Sequence, residues 1–394
     1  MAAICGPNRA IRPATVSARA ISRLRSPSPM VVHRNAVGAT VEQADVGRVR
    51  ERGSDHMAVP CRYGGAHASE EYLMIETLLS RPSRRALLGS AAGAGLTGLL
   101  PVPALAGSPS GAVAAVIEAM VRDHGFQGVV MLGRRGRVRF SHANGMAHIG
   151  RAIPMRTSTP LGIASISKRL TAAAVMRLVE QGRLSLDGPI TTWLPDYPAA
   201  TGARISLRRL LSNSSGVPNP FRAAVEADPA LLEEPWVSTA EAVRRLATGD
   251  LVFEPGARFD YALSNWVLVL AIIEAVTGRP YAEAMRALVL DPLGLTHTAP
   301  GASPDVMSYR TVSPAVEWTN PRPPFMAAAG GYYSTAADLL RFAHRVYDTD
   351  FLSRASRTAL TTVEVASDNY ALGGPSGPCW GIVWMGVGRL SSST

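Results

Sequence analysis

The stretch Ser165-Ile166-Ser167-Lys168, running directly into Arg169 to Gln181, constrains this chain more than any other. Leu170, Ala174, Val175, Leu178 and Val179 recur at three-to-four spacing, which predicts an amphipathic helix with Ser165 in its first turn. A serine and a lysine three apart on a helix share one face, with Cβ atoms about 5–6 Å apart. That placement suits a serine nucleophile whose proton passes to a neighbouring amine. A pattern with two fixed positions also arises by chance, as a capping serine beside a solvated lysine, and composition weighs between the two. Of forty Lys and Arg residues, only Lys168 is lysine. A chain that uses guanidinium wherever a surface cation suffices keeps its one amine where a cation must give up a proton, which arginine cannot do.

The 394 residues allow two or three domains, and 47% hydrophobic content lets most of the chain bury a core. The formal charge of +10 invites a nucleic-acid reading, but its distribution does not support one. Residues 1–106 hold thirteen arginines against seven acidic residues, and the remainder has no basic run interleaved with aromatics. Residues 1–73 lack periodicity and read as a disordered or mis-annotated extension, with translation expected to start at Met74. Within 74–106, Ser83-Arg84-Arg85-Ala86-Leu87-Leu88, a Gly/Ala/Leu run to Leu100 and Ala104-Leu105-Ala106 make up a twin-arginine export signal, cleaved after Ala106. The expected location is periplasmic or extracellular. Pro101 and Pro103 end the apolar run short of the ~20 residues a span needs, so membrane contact is expected only through an uncleaved signal. Cys5, Cys61 and Cys379 build no disulfide framework, and no His/Cys cluster has ligand spacing. Neither metal nor cofactor is expected.

The mature part opens with a helix expected over Ala112 to Asp123, then a hairpin of 128–132 and 138–141 around Gly133-Arg134-Arg135-Gly136, read as a solvated turn. Pro160 keeps Thr159 extended into Leu161-Gly162-Ile163-Ala164, a strand-to-helix junction that can point Ser165 into a cleft. The helix's positive end there favours an oxyanion and disfavours protonated Lys168. Ile205 to Leu211 reads as a further helix, stopped by Ser212-Asn213-Ser214-Ser215-Gly216-Val217-Pro218.

From this point the order of segments resembles the serine β-lactamase and penicillin-recognising hydrolase family, in its class C β-lactamase, D-alanyl-D-alanine carboxypeptidase and esterase branch. Beside the S-x-x-K helix and the SNSSGVP stretch, Phe253-Glu254-Pro255-Gly256 leads to Asp260-Tyr261, with a helix from Trp266 to Gly278. Asp291-Pro292-Leu293-Gly294-Leu295 and Ala329-Gly330-Gly331-Tyr332-Tyr333-Ser334-Thr335 follow. The last two are turn and packing signatures. The resemblance implies catalytic roles for Ser165, Lys168 and Tyr261, the tyrosine relaying a proton to the departing group; a half-buried tyrosine at a helix start is the plainer alternative. Two positions depart from the family pattern. Leu263 stands where Tyr-x-Asn is usual, leaving Asn265, four residues after Tyr261, as the nearest amide and a candidate substrate-binding residue, or else a cap or core polar group. Asn213 stands where a histidine is frequent.

The end of the chain departs further. Tyr370-Ala371-Leu372-Gly373-Gly374 matches, but no His-x-Gly or Lys-Thr-Gly follows, and 375–394 resembles nothing further apart from one possible strand, Trp380 to Val387, left as an apolar sheet edge. The expectation is a truncated or frame-shifted C-terminus. The resemblance implies an α/β (α+β) β-lactamase/transpeptidase-like fold over 107–374: a mainly antiparallel, incomplete sheet flanked by helices, with a helical subdomain over about 186–317. It implies acyl transfer from an ester, amide, D-amino-acid peptide or β-lactam through an acyl-enzyme on Ser165. Two alternatives stay open: an inactive remnant of the same fold with a binding role, and a helical exported scaffold whose S-x-x-K is incidental. Oligomeric state has no signature in the sequence.

Overall fold

The computed structural model describes residues 109–233, 238–319, 321–375 and 382–386, which belong to one compact unit. The extension, the twin-arginine segment and all three cysteines lie outside the described residues. The chain enters through α1 (Pro109–His124) and turns into β1 (Gly128–Arg134) and β2 (Arg137–Asn144). Between these strands Arg135 and Gly136 have φ of 49° and 72°, the two successive positive values a tight two-residue hairpin requires. The hairpin runs beyond its expected span and carries a register shift at Leu132/Gly133. β3 (Leu161–Gly162) then leads through a 3-10 turn, Ala164–Ile166, into α2 (Ser167–Glu180).

The middle of the chain is mostly helical. α3 (Leu207–Leu211) starts at Ser206, whose hydroxyl accepts from Arg209 N, and α4 (Thr239–Leu246) starts at Ser238 in the same way. α5 (Leu263–Thr277) is apolar almost throughout, buries Ser264 to Ile273, and ends at Gly278 with φ +66°, a left-handed cap that glycine adopts freely. Short β4 (Ala299–Pro300) follows, then the hairpin β5 (Ser308–Val312) and β6 (Ala315–Trp318), so the region expected to be helical also carries strands. β7 (Tyr332–Ser334), α6 (Ala336–Asp348), α7 (Arg354–Thr361) and β8 (Ile382–Gly386) complete the described chain.

Two three-stranded antiparallel sheets organise these elements, in orders β8-β1-β2 and β3-β7-β4. The expected terminal strand is present as β8, at the edge of its sheet among the described residues, and it pairs with β1 from Gly128↔Gly386 to Leu132↔Ile382. One apolar core runs from Val129 to Leu372, taking in α2, α3, α5 and α6. α2 departs from its amphipathic expectation, because eleven of its fourteen residues are buried, including Ser167, Lys168, Arg169 and Thr171. Ala172, Ala173 and Ala174 let neighbours approach closely. Gly373 shows how closely: a Cβ there would sit 2.8 Å from Ala172 Cβ and 2.9 Å from Lys168 O. Among the described residues no helix is long and apolar enough to cross a membrane.

Candidate active site

Ser165 is exposed at the junction of β3 and α2. Ala164 just before it has φ +44°, which for a residue with a Cβ costs roughly 1–2 kcal/mol and sharply redirects the chain. Lys168 lies in the first turn of α2 and is only 4% exposed. Its Nζ donates to Ala329 O at 2.5 Å and lies 3.2 Å from Ser165 Oγ. The Tyr261 ring lies 4.7 Å from Nζ and the Trp266 ring 5.4 Å, so the amine is surrounded by carbonyl and aromatic carbon. No carboxylate among the described residues pairs with it. Burial therefore acts unopposed and pushes the Lys168 amine down to about 7, where a large fraction is the neutral base at physiological pH.

Tyr261 approaches from the other side, its hydroxyl donating to Ser165 Oγ at 2.6 Å. It belongs to an irregular segment rather than a helix or strand, yet that segment is pinned along its length. Val252 N donates to Gly216 O at 2.8 Å, Gly256 N to Ser214 O at 2.7 Å and Asp260 N to Asn213 O at 2.8 Å, so the loop after α3 acts as a template for 252–260. Gly216 is required there, since its φ is +79° and a Cβ would fall 2.1 Å from Phe253 O. The Tyr261 ring sits 6.2 Å from Phe259 and 6.4 Å from Tyr370, edge-on to the latter. Tyr261 itself remains 43% exposed.

The structure thus brings Ser165, Lys168 and Tyr261 together, and it places Asn265 elsewhere. Asn265 is 1% exposed. Its Nδ2 donates to Asn213 Oδ1 at 3.2 Å, and its Oδ1 accepts from Ser215 Oγ. Trp266 Nε1 donates to the same Asn213 oxygen at 3.2 Å. An amide with both ends engaged inside the protein is not a surface for substrate, so the substrate-binding expectation for Asn265 is corrected to a clamp between α5 and the loop after α3. The reason is positional: α5 starts at Leu263, which puts residue 265 on the first-turn face that this loop covers.

Two participants left no side-chain signature in the sequence. Ala329, read as part of a packing run, supplies through its carbonyl the hydrogen bond that orients Lys168. Ser167, the variable position between nucleophile and lysine, is fully buried, donates to Ala164 O at 2.7 Å and accepts from Tyr332 N at 3.3 Å. With Thr171 Oγ1 3.0 Å from Ala328 O, three polar residues of α2 grip the 328–332 segment.

Comparison with known proteins fits this geometry. The family model described as Beta-lactamase matches residues 113–390, including most of the tail that resembled nothing in the sequence. Esterase EstB of Burkholderia gladioli is 34% identical over 195 residues, covering 46% of this chain and 49% of the esterase. The D-alanyl-D-alanine-carboxypeptidase/endopeptidase AmpH of Escherichia coli K12 is 24% identical over 238 residues, covering 59% and 60%. The chain thus spans about half to three fifths of the length of these curated relatives. Among solved structures, the D-amino acid amidase of Ochrobactrum anthropi SV3, complexed with L-phenylalanine, superposes with a TM-score of 0.53 at 28% identity, covering 62% of this chain and 71% of the amidase. A penicillin binding protein of Bacillus halodurans shares the fold, with a TM-score of 0.58 at 23% identity, covering 68% and 84%.

Proposed function

The chain belongs to the beta-lactamase family, whose members are serine hydrolases, and on that premise we propose that it is an exported serine hydrolase acting through an acyl-enzyme on Ser165. The observation that carries this reading is the placement of one exposed hydroxyl between a buried amine at 3.2 Å and a phenol at 2.6 Å. Neutral Lys168 takes the Ser165 proton as Oγ bonds to the substrate carbonyl carbon. The carbonyl electron pair moves to oxygen, where the Ser165 N–H, in the first turn of its 3-10 segment and without an intrahelical acceptor, supplies one oxyanion donor. As that pair returns, the bond to the leaving group breaks and Tyr261 hands it a proton, which Lys168 restores. Water then attacks the acyl-enzyme by the same steps in reverse order.

The substrate class follows the relatives: esters, amides, D-amino-acid peptides or β-lactams. The assembled site favours this over an inactive remnant. Incubation with a fluorophosphonate, with the adduct mapped by mass spectrometry, tests it. Label on Ser165, absent from Ser165→Ala, is expected; a folded protein that takes no label there ends the reading. Export through residues 74–106 is tested separately, by fusing them to a reporter active only outside the cytoplasm and replacing Arg84 and Arg85 with lysine.

A further inference from the structure

The turn that presents the nucleophile is held in a way that proton transfer alone does not explain. Ala164 is exposed, so nothing packed around its methyl group forces φ to +44°. Ser167 meets the turn instead: its backbone N–H and Oγ both donate to the Ala164 carbonyl, the hydroxyl at 2.7 Å. The same hydroxyl accepts from Tyr332 N on β7. Tyr332 O in turn accepts from Ile163 N at 3.0 Å, and β7 pairs with Leu161 and Gly162. One buried side chain therefore fastens the turn to β7, the strand paired with the β3 that leads into it. The Ala164 carbonyl and the Ser165 N–H belong to a single planar peptide, so fixing one fixes the direction of the other.

We propose that Ser167 is a positioning residue of the reaction: its hydroxyl holds the Ala164–Ser165 peptide in the left-handed turn that aims Ser165 Oγ between Lys168 and Tyr261 and its N–H toward the oxyanion. The proposal rests on Ser165 being the nucleophile. Ser167 touches neither substrate nor the reacting atoms. Its removal leaves the backbone bond from Ser167 N in place, so the turn loosens rather than collapses, and a small misplacement of reacting atoms is enough to slow acylation.

The test is a set of fluorophosphonate labelling rates on the full chain, with folding checked by circular dichroism. Ser167→Ala should label Ser165 about 30-fold more slowly than the parent. Ser167→Thr, which keeps the hydroxyl, should stay within about threefold. The decisive comparison uses Ala164→Gly, because glycine takes positive φ without a latch. In that background, losing the Ser167 hydroxyl should slow labelling by less than about fivefold, a rescue that a general packing defect would not show. The midpoint of labelling against pH should be unmoved in Ser167→Ala, since the surroundings of Lys168 are unchanged. If Ser167→Ala does not fold, Ser167→Cys, similar in size but a weak donor, is compared in the same two backgrounds. Equal rates for parent and Ser167→Ala overturn the latch alone, as does an undiminished loss in the glycine background. Absence of label on Ser165 in the parent overturns the nucleophile and the latch together.

Discussion

Lys168 and Tyr261 reach the same oxygen from opposite sides, and the molecule treats the two approaches differently. The lysine side is built of regular structure: a helix start, a β7 strand beside it, a carbonyl acceptor and 4% exposure. The tyrosine side is an irregular segment pinned by backbone hydrogen bonds to a neighbouring loop, and its ring is 43% exposed. The contrast matches the roles proposed above for the two groups. An amine that is dehydrated and kept from carboxylates becomes a base near neutral pH, whereas a phenol that exchanges protons with a leaving group must face the substrate. Dehydration belongs in the core, and contact with substrate belongs at its rim.

The difference is broken most severely by Lys168→Arg, which keeps charge and approximate length but cannot give up its proton. The acylation rate should fall about 10³-fold, measured with any ester that labels Ser165. A solvated cation would tolerate the change. Next in size is the cost of the buried amine to the fold. Its pKa of about 7 lies below the unfolded value of about 10.4, so the unfolded chain binds more protons between those pH values and stability rises with pH across that window. Below pH 7 the full penalty applies. Lys168→Met should therefore be more stable than the parent there, on the order of 4 kcal/mol by denaturant titration, with the gap closing toward pH 10. A gap independent of pH would mean the amine is not dehydrated.

Tyr261→Phe, on the exposed side, should lower turnover by about 10²-fold while leaving stability nearly unchanged, because the ring contacts with Phe259 and Tyr370 survive. It also sharpens the assignment of roles: the acid limb of the rate profile, near pH 7, should persist in Tyr261→Phe if Lys168 sets it. The smallest effect is expected from Asn265→Ala. It leaves the Ser215 hydroxyl proton without its acceptor and removes one of the two donors to Asn213 Oδ1, and should cost about 1–3 kcal/mol of stability, read by thermal or denaturant unfolding, while KM stays close to the parent value. A large rise in KM would return Asn265 to the substrate.

Side-chain chemistry with short spacing was legible in the sequence. Ser165 and Lys168 are three apart in the sequence, whereas Tyr261, far along the chain, was marked only by the family resemblance of the segment after Phe253-Glu254-Pro255-Gly256. The hairpin between β1 and β2 could be read because Arg135-Gly136 supplies its turn chemistry. What stayed hidden depends on partners distant in the chain. Ala329 contributes only a backbone oxygen, which no pattern of residue types encodes. Asn265 could be placed on a helix start but not turned inward without knowing that the loop after α3 covers that face. α2 misled for a related reason. Ser167, Arg169 and Thr171 are polar, yet they are buried with backbone groups of remote segments as partners: Tyr332 N at Ser167, the carbonyls of Leu360 and Pro375 at Arg169 and that of Ala328 at Thr171.

The buried amine of Lys168 has a practical consequence, because it is also the only one of its kind in the sequence. Protein grown on lysine carrying carbon-13 at the ε position would give a single side-chain resonance, with nothing to assign. Its chemical shift followed against acidity reads the ionisation of the reactive amine directly, and the same signal reports whether an inhibitor seated on Ser165 moves it.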